Sequence, residues 1–176
     1  MAYTRGNSNN IIVGAAAFFI ADDTLDAATL PSKVSTESYR TTLSDNVNFT
    51  NVGYTRNGLE LQFQPDFGEV QVDQILDVAK LYKQGMQVNL ATAFGEATLE
   101  NLLVALAYGS SNLTGTKSTS NGQVLDLSAG QIGECPVERG IIAVGPGTGD
   151  CDNSSHVERV YAAYRALSIE NVTVSA

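Results

Sequence analysis

The chain has 176 residues, enough for one domain with a sizeable core and no need of covalent staples. Its 19 acidic against 10 basic residues leave a formal charge of −9, which argues against gripping nucleic acid or an anionic membrane through clustered cations. Charged residues make up 16% of the chain, below the roughly 25% of an ordinary soluble domain; Ser, Thr, Asn, Gly and Gln fill the difference, as in many β-rich extracellular or virion-like proteins.

The first marked segment is NNIIVGAAAFFIADD, residues 9–23. Its apolar run, from Ile11 to Ala21, falls short of the about 20 residues a membrane-spanning helix needs. A secretory signal would want a basic start and a small-x-small cleavage site, whereas one arginine, Arg5, precedes a polar GNSNN and the run ends in FFIADD. Ile11, Ile12 and Val13 are β-branched, and Phe18, Phe19 and Ile20 also favour strands, so the segment reads as a buried strand or short helix of a single domain spanning 1–176.

Residues 22–57 are mostly polar. A structureless loop of that length is unusual inside a compact domain, so the stretch is expected to be a functional arm or partly strand, with VNFTNVGY rejoining a sheet at its end. In GLELQFQPD, Leu59, Leu61 and Phe63 alternate with Glu60, Gln62 and Gln64, which predicts a strand with one apolar face; Pro65 and Gly68 then break it. A second alternation, EVQVDQIL, sets Val70 and Val72 against Glu69, Gln71 and Asp73. The two runs predict an antiparallel hairpin with an acidic, glutamine-rich outer face.

A further strand is expected from about Met86 to Ala93, and then the period changes. In TLENLLVALAYG, Leu99, Leu102, Leu103 and Leu106 recur at helical spacing, Thr98 is an N-cap, Glu100 suits the first turn and Gly109 can close the end. A helix over about Leu99 to Tyr108, with its leucines on a sheet, follows. SSNLTGTKSTSNGQ reads as a loop, while GQVLDL, GIIAVGP and ENVTVS read as short strands. VERVYAAYRAL fits a helix or a strand, and periodicity does not decide between them.

Motifs with chemical content are sparse. GPGTGD, residues 145–150, lacks the Gly-Lys-Ser/Thr ending of a phosphate loop and reads as a turn. DCDNSSH brings Asp150, Asp152, Asn153 and His156 together as oxygen and nitrogen donors, but without the glycine and distal glutamate of an EF-hand. Cys135 and Cys151 could pair in an oxidising compartment, but two thiols on a chain of this size are no disulfide framework and the sequence leaves the pairing open; two thiols and one histidine make no zinc site, and neither cysteine carries a local nucleophile signature. Sequons at Asn48, Asn112, Asn153 and Asn171 are expected by chance in so Asn-, Ser- and Thr-rich a chain. No catalytic residue, cofactor or metal is expected.

The order of segments carries more. IIVGAAAFFIADD, a long polar stretch, then GYTRNGLELQFQPDFGEVQVDQILDVAKLYKQGMQVNLATAFGEATLENLLVALAYG closely resembles the tail tube proteins, or major tail proteins, of long-tailed bacteriophages. The resemblance rests on G-Y-T-x-x-G-x-E, V-x-V-D-Q and E-x-T-x-E-N-L, and covers most of residues 9–109. It implies a β-sandwich or partly closed barrel of antiparallel strands with one flanking helix and a long polar arm, and it implies that VERVYAAYRAL is a strand. It further implies hexameric rings stacked into a hollow tube that encloses the tape-measure protein and conducts double-stranded DNA, with tail terminator and distal tail proteins at the ends. Such a subunit is assembled in the bacterial host cytoplasm and resides in the virion tail. On this reading Glu60, Glu69 and Asp73 line the bore, and the arm reaches neighbouring subunits through Asp22, Asp23, Lys33 and Arg40. Two alternatives stay open: a tube protein of a contractile tail-like or secretion machine, and a secreted β-sandwich module that binds a sugar or calcium.

Overall fold

The computed structural model describes residues 16–32, 38–71, 78–115, 122–130, 132–133, 135–147, 158–169 and 172–173. The chain is mainly β, sandwich-like in class, with the strands β1 (Ala17–Ala21), β2 (Phe49–Asn51), β3 (Thr55–Gln71), β4 (Val78–Phe94), β5 (Leu113–Gly115), β6 (Gln123–Leu125), β7 (Arg139–Pro146) and β8 (Glu158–Ala166). Among the described residues two short α-helices accompany them, α1 (Tyr39–Ser44) and α2 (Leu99–Ala105). The strands form a four-stranded sheet in the order β2-β1-β7-β8 and two ribbons, β3-β4 and β5-β6. Two compact units result: residues 57–93, which hold the β3-β4 ribbon, and the rest of the chain.

In the larger unit, the expected N-terminal strand is present as β1, while residues 9–15 lie outside the described chain. β1 sits between β2 and β7, antiparallel to both, with Phe19 opposite Asn51 and Ile142. Phe18, Phe19, Ile20 and Ala21 are all buried, so the strand is covered on both faces. That is why it reads as an unbroken apolar run without alternation. On one face, Phe19, Ala21, Ile142 and Val144 meet Leu25, Tyr39, Leu43 and Phe49 in a single core. The Phe18 ring stacks on Phe94 at 6.1 Å between centroids, tilted by 51°.

The polar stretch 22–57, of which residues 33–37 lie outside the described chain, is mostly exposed but is anchored to that core by a few apolar side chains. Ser38 caps α1 by accepting from the Thr41 amide, and Tyr39 and Leu43, four residues apart, project from one side of the helix into the core. Leu25 and Phe49 add two further core residues. The four are too widely spaced for any window of the sequence to show a period. The expectation that VNFTNVGY rejoins a sheet holds through β2.

The helix expected near Leu99 is α2, with Thr98 accepting from the Asn101 amide as its N-cap. It stops a turn early. Tyr108 donates its amide to the Leu103 carbonyl and Ala107 to that of Val104, a Schellman closure in which Ala107 holds the left-handed conformation at φ 57°. Gly109, expected to close the helix, plays no part in that turn. The buried residues of α2 are Leu103 and Asn101, and Asn101 donates its side-chain amide to the carbonyls of Val52 (2.9 Å) and Glu96 (3.0 Å). A polar anchor therefore stands where the leucine stripe predicted only apolar packing.

Part of the tract expected to be a loop is also ordered. Leu113–Gly115 pairs with Gln123–Leu125 as the β5-β6 ribbon beside α2, and residues 116–121 lie outside the described chain. GIIAVGP forms β7 as expected; of ENVTVS only Val172 and Thr173 are described, and neither is in a strand. The ambiguous VERVYAAYRAL resolves into the strand β8, antiparallel to β7.

The β7-β8 pairing slips by one residue beside Gly140. There the Gly140 amide donates to the Asp23 carbonyl, and the Leu25 amide donates to the Tyr164 carbonyl at 2.8 Å. The Leu25 side chain occupies the space a Cβ on residue 140 would fill, so the glycine is required by close approach. Next to it, the buried Arg139 guanidinium donates to the carbonyls of Asp22 and Tyr108, both at 3.1 Å, and ties the start of this loop to the end of α2.

Candidate assembly surface

The smaller unit is the ribbon of β3 and β4, and it differs from the predicted hairpin. β3 runs without a break through Pro65 and Gly68, and its partner is residues 78–94, whereas the sequence had paired 59–64 with 69–76. In a two-stranded ribbon each strand has a free edge, where a proline that cannot donate is tolerated. Gly68 is buried because the Tyr82 and Gln84 side chains pass over it, at 2.6 Å from where a Cβ would stand. Gly58 accepts from the Thr92 hydroxyl at the other end of the ribbon, so numbering rises on one strand as it falls on the other: the pair is antiparallel. At about 3.3 Å per residue, strands of this length extend for more than ~50 Å.

Along β3, Leu59, Leu61, Phe63 and Phe67 fall on one phase and Glu60, Gln62, Gln64 and Asp66 on the other. β4 alternates too, with Met86, Val88 and Leu90 against Gln87 and Asn89, whose side chains hydrogen-bond to each other at 3.2 Å. The apolar side chains are not covered: Phe63 is 60% exposed, Leu81 61% and Met86 52%, with Phe67, Val70, Tyr82 and Val88 exposed as well. An isolated two-stranded ribbon is marginal in water. Among the described residues this one has no strand on either edge and its apolar residues are uncovered, the features that drive pairing with another chain.

Of the residues expected to line a bore, Glu60 and Glu69 are both exposed on β3 and Asp73 lies outside the described residues. Glu60 belongs to the polar phase. Glu69, nine positions on, takes in a regular strand the phase of Phe63 and Phe67, because an odd separation changes face. Of the expected arm residues, Lys33 lies outside the described chain. The others engage their own subunit: Asp22 pairs through its backbone with Asn48, the Asp23 carboxylate accepts from the Thr24 amide, and Arg40 donates to the Val144 carbonyl at 3.2 Å.

Cys135 is exposed, while Cys151, His156 and the DCDNSSH loop lie outside the described residues. Among the described residues no group of three or more His, Cys, Asp or Glu could hold a metal ion. A cleft of about 150 Å³ lies between β2 and the start of α2, well below the roughly 300 Å³ at which small-molecule sites begin. Its Glu96 carboxylate is already used, accepting from the Tyr54 amide at 3.0 Å. No described helix is long and apolar enough to cross a membrane. Comparison with protein-family models, with curated proteins and with solved structures finds no match to the chain.

Sequence reasoning missed the place of β8 at the end of its sheet and the Arg139 anchor. Arg139 sits in VERGIIAVG with nothing in its neighbours to separate it from a surface arginine; the apolar GIIAV run beside it is the one available hint of burial.

Proposed function

We propose that the chain is a structural subunit that self-assembles into hexameric rings, stacked as the hollow tail tube of a long-tailed bacteriophage. The observation that supports this reading best is the β3-β4 ribbon: a long unit of residues 57–93 whose apolar residues, among those described, stand exposed. Rings and stacks of copies cover ribbon edges in a closed, repeating way, where a monomer leaves them open. The polar phase of β3, with Glu60, Gln62, Gln64 and Asp66, then faces the bore. Between residues 60 and 66 that phase carries no cation of its own to hold DNA phosphates. Glu69, on the other phase, adds to the acidity of the same strand, and Asp73 lies beyond its described residues. The tape-measure protein occupies the bore during assembly, terminator and distal tail proteins close the ends, and assembly proceeds in the bacterial host cytoplasm before the tube joins the virion.

The test is negative-stain electron microscopy of the concentrated protein beside a Phe63→Asp/Phe67→Asp variant. Hollow tubes or rings from the native chain, absent from a variant whose circular dichroism still shows the folded sheet, are the expected result. A native chain that remains monomeric at every concentration overturns the proposal, and calcium or glycan binding by that monomer favours the secreted binding module.

A further inference from the structure

β8 ends its sheet, and among the described residues no strand covers its outer side. From Glu158 to Ala163 it pairs regularly with β7, which places Val160 and Ala162 on the face of Val144 and Ile142, and Tyr161 and Ala163 on the face of Ala143 and Ile141. Both faces are therefore apolar, yet Val160, Tyr161 and Ala162 are exposed. An edge strand whose centre, Val160–Ala163, is apolar on both faces invites another strand beside it.

Charge selects the partner. β8 carries Arg159 and Arg165 against Glu158, and that glutamate already accepts from the Tyr39 amide at the start of α1. Of the two open ribbon strands, β3 carries Glu60, Asp66 and Glu69 against Arg56, whereas β4 carries Lys80 and Lys83 and no acid. Like charges facing each other across strands destabilise a pairing and opposite charges favour it, which disfavours β4 or a second β8 and favours β3.

We propose that β8 of one copy adds to the free edge of β3 of a second copy, antiparallel, with Arg159 opposite Asp66. The inference rests on the tube-subunit reading and names the strand its ribbon docks against. In this register Tyr161 meets Gln64 and Ala163 meets Gln62 on the polar phase of β3, while Val160 meets Pro65 and Ala162 meets Phe63 on the apolar phase. Arg165, at the irregular end of β8 and exposed beside Glu138, comes to the level of Glu60. A slip of one residue would set Arg159 against Pro65 or Phe67, so the pattern selects its own register. Pro65 has no amide hydrogen to give and costs the ladder at most one bond.

The full-length chain with Cys135→Ser, Cys151→Ser, Ala162→Cys and Phe63→Cys is oxidised under conditions where the native protein forms tubes. Directly opposed residues stand about 4.5–5.5 Å apart at Cα, within disulfide range. Intermolecular dimers and higher multimers on non-reducing gels are expected, and a matched Ala162→Cys/Val88→Cys chain should stay uncrosslinked. Arg159→Asp should abolish tubes, and adding Asp66→Arg should restore them. Tubes that form without the 162–63 crosslink and without charge rescue overturn the pairing while leaving the tube reading intact. A crosslink to residue 88 overturns it in favour of β4, and a native chain that forms no tubes removes both readings.

Discussion

Ala107 adopts a conformation that L-residues pay about 1–2 kcal/mol to occupy, because its Cβ crowds the following carbonyl. Ala107→Gly should therefore stabilise the protein by about 0.5–1 kcal/mol, read as a higher urea midpoint at unchanged slope. Gly140 presents the opposite case. Its missing side chain makes room for Leu25, and Gly140→Ala should cost about 1–3 kcal/mol as overpacking forces the loop away from the sheet; a melt unchanged by that substitution would show that Leu25 does not seat there. Tyr39 supplies a pH signature. Burial raises its pKa above the ordinary 10.0, so the associated stability is fully present below pH 10 and is lost as pH rises from there through the raised folded-state value. The stability difference between the native chain and Tyr39→Phe should shrink from pH 9 to pH 11 in denaturant titrations, although the variant also loses the hydroxyl bond to the Pro31 carbonyl. Asp26 is displaced the other way, held below the usual carboxylate range chiefly by the Thr29 amide, with the Thr29 hydroxyl and the Ala28 amide adding to it. Its contribution is present at neutral pH and disappears only as pH falls below 3.8.

Among the elements, the pieces legible in the sequence are those whose signal is local. β1 shows as an apolar run, the start of α2 as Thr98 followed by helical spacing, and the first half of β3 as strict alternation. Pro65 and Gly68 were misleading because their usual role as breakers presumes a strand with neighbours on both sides; on a ribbon with a free edge the first is harmless, and the second is required by Tyr82 and Gln84. The end of α2 was misplaced for a related reason: the last turn is closed by backbone hydrogen bonds to Leu103 and Val104 rather than by the glycine that most often performs that task. The ribbon should be the least protected element of the unassembled chain. Hydrogen exchange followed by mass spectrometry should show fast exchange across residues 57–93 in the monomer, slow exchange in β1 and β7, and a gain of protection in the ribbon once tubes form. Equal protection in both states would mean that the ribbon is not an assembly element.

At the scale of the whole molecule, the acidity and low charge content of the chain argue against a cationic DNA clamp. The acids are not spread evenly over the strands: β3 is acidic, β4 basic and β8 weakly basic, the asymmetry from which the proposed edge pairing takes its partner and register. By itself the sequence determined the mainly β class, the buried N-terminal strand, the amphipathic phase of β3 and the cap of α2, because each depends on residues within a few positions of one another. Only the tertiary structure decided that the polar stretch contributes Leu25, Tyr39, Leu43 and Phe49 to the core, that Arg139 and Asn101 are buried anchors, and that β3 pairs with β4. Those outcomes depend on contacts between residues tens of positions apart, and burial or strand pairing at that range leaves no period in the chain for a reader to find.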